Sequence, residues 1–276
     1  MIFADCEICG DHMEEPLRYE AITGLTDGQL AELSARVVEI VGDLTSAGRP
    51  YALGLFRSVT LVVALLRKNA TQDTLGAFFG VSQPTVSRRW DLLRPAIGDA
   101  LAEFILDPKD LVGEGTLLVD GTICPTWDWQ AIPDLYSGKA GYPGMNIQIA
   151  ATLDGKLAAV GATPVHGARH DAHAYAASGL AAALTDVHTV ADLGYVGVDG
   201  IAVAPIRKPQ GVDLHETQAE FNTQLSTIRA AVEHAIAHLK TWRMLSEEGG
   251  RYRCPIHKYS SMLKAITGLF FFTACE

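Results

Sequence analysis

The chain has 276 residues, 48% of them hydrophobic, enough to bury one large core and a smaller helical satellite. No apolar run reaches the roughly 18 residues that span a bilayer, and acidic residues stand near the start where a signal peptide would be basic, so the sequence predicts a cytoplasmic protein with no membrane partner. The formal net charge of −10 sets the whole-molecule field against polyanions. That charge is uneven: residues 1–50 are net −7, whereas 51–100 and 207–264 are each net +3. Local sign decides phosphate contact, so a nucleic-acid partner stays open.

Thr26 to Val41 carries apolar residues at Leu30, Leu33, Val37, Ile40 and Val41, a helical period, with Asp27 placed to cap its start. After a Gly48-Arg49-Pro50 break, Leu53 to Leu66 is apolar on nearly every side, as the central helix of a small bundle would be, and Asn69 marks its end. Five cysteines at 6, 9, 124, 254 and 275 form no disulfide framework and suit a reducing compartment. Cys6 and Cys9 with His12 have half the spacing of a zinc site, and Cys254 with His257 is the candidate for the other half. A frayed N-terminus with free thiols is the plainer expectation.

Residues 71–94 have the layout of a helix-turn-helix. Leu75, Phe78 and Phe79 form the apolar face of a first helix, Gly80 stands at the turn, and Ser82 is placed to cap a second helix whose first turn tolerates Pro84. Val86, Trp90 and Leu93 then face the core. That leaves Gln83, Thr85, Ser87, Arg88 and Arg89 on or near the outward face, the chemistry that reads base edges and phosphates of double-stranded DNA. A plain helical hairpin with a solvated basic face is the alternative.

From about Leu111 the texture changes to short β-branched and aliphatic runs bounded by Gly, Asp and Pro: 116–119, 146–153, 157–162, 187–191 and 201–204. Asp154-Gly155 joins the second and third as a hairpin. An Ala-rich stretch at 170–184 and a long helical stretch at 216–242 complete a mixture of hairpin and strand-helix units. Asp120 ends the first strand and Asp192 the fourth, where carboxylate oxygens emerge at the edge of a sheet and suit a hard cation. Glu233 lies on the helical run beside the core stripe of Ile228, Val232, Ala235 and Leu239, in line with Arg229 and Lys240 at spacings of four and seven. Singly, each acid also fits a turn, a strand end or a surface ion pair.

Five ordered motifs carry a resemblance. They are Val119-Asp120-Gly121-Thr122; Tyr136-Ser137-Gly138-Lys139 with Asn146-Ile147-Gln148; Gly167 to Asp171; Ala191-Asp192-Leu193-Gly194-Tyr195; and Arg229 through Glu233 to Lys240. Over most of residues 50–270 the chain resembles the DDE superfamily endonucleases of Harbinger-like and related bacterial insertion-sequence transposases. The resemblance implies an α/β (α+β) fold, an RNase H-like mixed sheet with flanking helices, preceded by a small all-α helix-turn-helix domain. The expected division is an acidic segment over 1–50, the helix-turn-helix domain over 51–108 and the catalytic domain over 109–276. Asp120, Asp192 and Glu233 would be the catalytic and metal-binding triad, with His170 and Asp171 close by and Asp171 the first alternative member. The stretch 140–144 is less basic than the family pattern.

Three carboxylates of this kind hold two divalent cations roughly 3.5–4 Å apart, one activating water or a 3′-hydroxyl and one stabilising the leaving oxygen. Mg²⁺ is the expected ion, with Mn²⁺ able to substitute. Lys139, Arg229 and Lys240 are candidates to touch phosphates, or equally to be surface ion-pair partners. The implied partners are transposon-end and target DNA, bound as a homodimer or larger in association with the bacterial nucleoid. Three alternatives remain: a domesticated, inactive DNA-binding relative, a helix-turn-helix transcriptional regulator with a ligand-sensing domain, and a purely hydrolytic nuclease.

Overall fold

The computed structural model describes residues 19–42, 52–105, 107 and 115–274. The half zinc motif at Cys6, Cys9 and His12, Cys275, and the break at 48–50 lie outside the described residues. Cys124 and Cys254 are free thiols. No helix among the described residues is long and apolar enough to cross a membrane.

The helical part begins with a single turn, α1 (Glu20–Thr23), followed by α2 (Asp27–Val41). The cap of α2 is Thr26 and not Asp27. The Thr26 side chain accepts from Gln29 N–H, and Gln29 Oε1 accepts from Thr26 N–H, a reciprocal capping box. Asp27 is left as a first-turn acid, where the helix dipole favours it. The apolar helix α3 (Leu55–Lys68) ends at Asn69, which takes the left-handed conformation at φ 50° as the sequence indicates. Then α4 (Gln72–Phe79) and α5 (Gln83–Ala100) are joined by a turn at Gly80, whose φ of 70° suits glycine. Ser82 occupies the cap position of α5, but its hydroxyl meets the Thr85 hydroxyl rather than a backbone N–H. Val86, Trp90, Leu93 and Ile97 bury the inner face of α5.

The second part is built on β1 (Leu117–Pro125), β2 (Tyr136–Ser137), β3 (Tyr142–Ala151), β4 (Leu157–Val160), β5 (Val165–His166) and β6 (Thr189–Val190). β1 runs antiparallel to β3 and parallel to β6, while β2, β4 and β5 all pair antiparallel with β3. The predicted strand at 201–204 survives only as a parallel bridge of Val203 to Val190. Antiparallel β4–β3–β1 followed by parallel β6 is the RNase H-like order that the resemblance implies. Gly155, at φ 81°, closes the β3–β4 hairpin as Asp154-Gly155 predicts. Two short helices, α6 (Asp171–Ala177) and α7 (Leu180–Ala183), precede β6. The long α8 (Glu216–Leu239) and α9 (Tyr259–Ala274) follow it.

α9, which no period or cap in the sequence predicts, packs along α5 and ties the two parts together. A side chain at Gly98 would meet the Ala265 backbone nitrogen at 3.2 Å, and one at Gly268 would meet Leu101 Cβ at 2.8 Å, so small residues on both helices set this close approach. One hydrophobic cluster runs from Leu30 and Val59 through Trp90 to Ile147, Leu239 and Phe271. A smaller one beneath α6 and α7 joins Leu117 and Val119 to Tyr175 and Tyr195. The helical part is thus held against the sheet by shared core.

Candidate active site

Asp120 does not end β1. It is the fourth of nine strand residues and pairs with Ile149 on β3. Gly121, which looks like a strand terminator, stays in the strand because the site needs the space above it. A Cβ there would lie 2.7 Å from Asp171 Oδ1 and 3.0 Å from Asn146 Oδ1. Asp192 follows β6 by two residues, beside the backbone bond from Ala191 N–H to Val203 carbonyl, and accepts from Gly194 N–H at 2.7 Å. Asp171 opens α6, and a Cβ at Gly194 would sit 2.9 Å from Asp192 Oδ1 and 3.5 Å from Asp171 Oδ2. Three carboxylates therefore approach one another at the edge of the sheet, around two glycines.

Cations and amides hold them there. Arg229 of α8 donates to Asp120 Oδ2 at 3.2 Å, with both side chains less than one-fifth exposed, and Gly121 N–H donates to Asp120 Oδ1 at 2.8 Å. Lys139 donates to Asp171 Oδ2 at 3.0 Å and Asn146 to Asp171 Oδ1 at 2.9 Å. Behind Asn146 runs a buried chain: Gln148 Nε2 donates to Asn146 Oδ1 at 2.8 Å, and Tyr195 O–H donates to Gln148 Oε1 at 2.6 Å. Buried amides need such partners, so each link fixes the next and the last fixes Asp171.

The electrostatics follow from this crowding. Burial raises the pKa of Asp120, and the charges of Asp192 and Asp171 raise it further, against the opposing pull of Arg229 and the Gly121 N–H. Burial works against the charge on Lys139, but its bond to Asp171 and the fields of all three acids raise its pKa overall. Burial, then Asp171, Asp120 and Asp192, push the Tyr195 phenol far up, so it remains a donor. Net negative charge held by all-oxygen donors suits a hard divalent cation, whose charge would offset the burial and the repulsion that raise the pKa of Asp120. Among the described residues no three His, Cys, Asp or Glu side chains stand in a ligating arrangement.

The other expected residues divide into those brought together and those held apart. Lys139, Asn146, His170 and Asp171 line one recess of about 310 Å³. Glu233 stands apart from it, exposed on α8, and forms no hydrogen bond or ion pair among the described residues. It lies one turn beyond Arg229 on the stripe that also bears Lys240, and both of those touch β1, Arg229 at Asp120 and Lys240 at the Ile123 carbonyl, 3.2 Å away. On α5, Gln83 and Arg88 are exposed, and Thr85 and Ser87 are half-buried. Arg89 is a correction. It is only 6% exposed because position 89 is three after Val86 and four before Leu93, on the core stripe rather than the outer one.

Asn146, Gln148 and Tyr195, motif residues given no role in the predicted site, form the chain that holds Asp171. Asn146 and Gln148 occupy alternate positions of a strand that is otherwise apolar, and both are buried. Two amides on one buried face of β3 were the available signal. Tyr195 stands in the fourth motif, but nothing in the sequence marks its hydroxyl as the donor to Gln148.

With that geometry in view, residues 119–270 match the family model of the DDE superfamily endonucleases, and the chain belongs to that family. Among curated proteins it is 33% identical over 235 residues to one named "Putative transposase for insertion sequence element IS112" from Streptomyces albus G, spanning 84% of this chain and 87% of that one. It is 25% identical over 234 residues to "Probable transposase for insertion sequence element IS702" from Microchaete diplosiphon, spanning 81% of this chain and 82% of that one.

Proposed function

We propose that the protein is a DNA transposase that binds the terminal inverted repeats of a mobile element and carries out both strand cleavage and strand transfer. The observation that carries this is the approach of Asp120, Asp171 and Asp192 at one edge of an RNase H-like sheet in a DDE superfamily chain. Asp120 and Asp192 supply two carboxylates, and Glu233 the third, from the α8 stripe whose flanking members already touch β1. Bound Mg²⁺, or Mn²⁺ in its place, would supply an activated oxygen nucleophile and stabilise the leaving oxygen. Arg229 orients Asp120 and offsets its charge, while Lys139 and Asn146 orient Asp171. On α5, Gln83, Thr85, Ser87 and Arg88 face outward to read the duplex. Action on two ends requires at least a dimer on DNA.

Proximity favours Asp171 as a rival third acid, because its carboxylate crowds Gly121 next to Asp120 and its charge acts on Asp120, whereas Glu233 is exposed on α8. The discriminating pair is Glu233→Gln against Asp171→Asn. Loss of Mg²⁺-dependent cleavage in the first, with a smaller loss in the second, supports Glu233, and the reverse order assigns the role to Asp171. The function itself is tested on a labelled duplex carrying the inverted repeats that flank the gene, with wild type beside Asp192→Ala. Nicking and joining by wild type alone is expected. Specific binding without cleavage by either protein in Mg²⁺ or Mn²⁺ would instead mark an inactive DNA-binding relative, and cleavage without joining a hydrolytic nuclease.

A further inference from the structure

Where the last turn of α3 meets the end of α8, Arg67, Lys68, Lys240 and Arg243 line one cleft of about 420 Å³, with Glu248 as the carboxylate on its wall. Nine of the described cations elsewhere form ion pairs, including Arg36, Arg94, Arg169, Lys208, Lys258 and Lys264. Among the described residues none of these four does, Glu248 notwithstanding. A chain of net charge −10 has gathered unpaired positive charge at one concave place.

Helix C-termini favour cations, which offers a purely structural account of the cluster. The balance runs the other way. Burial and then the neighbouring Arg243 lower the pKa of Arg67, and burial, Arg243 and Arg67 lower that of Lys68. The surroundings therefore disfavour the charges of Arg67 and Lys68, and the attraction of a helix end does not account for gathering them with Lys240 and Arg243. Arg67 is also fixed: its guanidinium lies 5.0 Å over the Trp242 ring and donates to Thr241 Oγ1 at 2.9 Å, so one wall of the cleft is preset. Lys240 links the cleft to the carboxylate site, since the Ile123 carbonyl it donates to is three residues, about 10 Å of strand, beyond Asp120.

We propose that Arg67, Lys68, Lys240 and Arg243 form a cradle for backbone phosphates of duplex DNA, read without regard to sequence and separate from the outward face of α5. Four cations converging on a concave surface match a chain of phosphates, and their missing partners are the anions of the duplex. The proposal rests on the reading that DNA is the substrate.

The test uses the full chain and a fluorescein-labelled duplex of unrelated sequence, followed by anisotropy over a salt series. Lys68→Gln with Arg243→Gln is the variant, since both side chains are exposed and neither packs the core; Lys156→Gln is the control. The expected result is a roughly tenfold weaker affinity at low salt and a slope of log K against log salt shallower by about 0.9 for each phosphate that is no longer neutralised. The control should match wild type. The double variant should also melt at or above wild type, because two mutually repelling charges are gone, which separates a weakened grip on DNA from unfolding. Equal affinity and slope in wild type and double variant overturn the cradle while leaving the transposase reading intact. Failure of the wild type to bind any duplex at low salt overturns the DNA reading and the cradle with it.

Discussion

Two regions of this molecule treat positive charge in opposite ways. At the sheet edge Arg229 and Lys139 are paired with Asp120 and Asp171, and their effect is to hold carboxylates in place. At the junction of α3 and α8, Arg67, Lys68 and Arg243 are gathered without carboxylate partners and raise one another's cost. The first region has its internal charge partners and positions chemistry; the second lacks them and is suited to an external anion. Each draws on α8 or the segment that follows it, Arg229 in the first region and Lys240 and Arg243 in the second, so one element runs through both.

The comparison is broken most directly at Arg229. Arg229→Met leaves the Asp120 carboxylate largely buried without its cation, and should lower stability by about 2 kcal/mol, toward the lower side of what breaking a buried pair costs, because both side chains keep some exposure. Chemical denaturation measures it, and Asp120→Asn combined with Arg229→Met should cost less than the two single changes added together. Additivity would show that the pair is not a unit. A smaller effect is expected from Tyr195→Phe, which strips the donor from Gln148 Oε1 and should cost about 1–2 kcal/mol, read as a fall in Tm. Cleavage should fall as well, since Asp171 stands at the far end of the same chain of bonds. Smallest is Lys240→Met, the residue shared by both regions. Its loss should cost under about 1 kcal/mol and weaken duplex binding only a few-fold in an anisotropy titration.

The pKa of Asp120 gives a signed pH expectation. Its carboxyl holds a proton more tightly in the folded chain than in the unfolded one, so ionising it at neutral pH costs stability, and that cost disappears as pH falls through the carboxylate range. Asp120→Asn removes the cost. The variant should melt at or above wild type at neutral pH, with the advantage shrinking on acidification. A growing advantage at low pH would have the wrong sign.

Much of this was legible in the sequence because it rests on short-range rules. The period of α2, the left-handed Asn69, the Gly80 turn and the Asp154-Gly155 hairpin are each set by a few neighbouring residues. Asp120 and Asp192 were legible as acids next to apolar runs, although Asp120 lies within β1 and not at its end. What stayed hidden depends on tertiary packing. Gly121 reads as a strand end until Asn146, Gln148 and Asp171 are seen crowding the space above it. Arg89 reads as surface until its place on the Val86–Leu93 stripe is counted. The basic cleft joins residues about 170 positions apart, Arg67 to Thr241 among them, and no local pattern marks it.

The most direct test of the central claim separates binding from chemistry. Asp120→Asn is compared with wild type for affinity on an inverted-repeat duplex and for Mg²⁺-dependent cleavage of the same duplex. Affinity within about threefold of wild type together with a loss of cleavage of about 10³-fold or more is the predicted result, because the carboxylate acts at the sheet edge and the duplex is gripped elsewhere. Equal loss of both activities, or cleavage that survives the substitution, would contradict it.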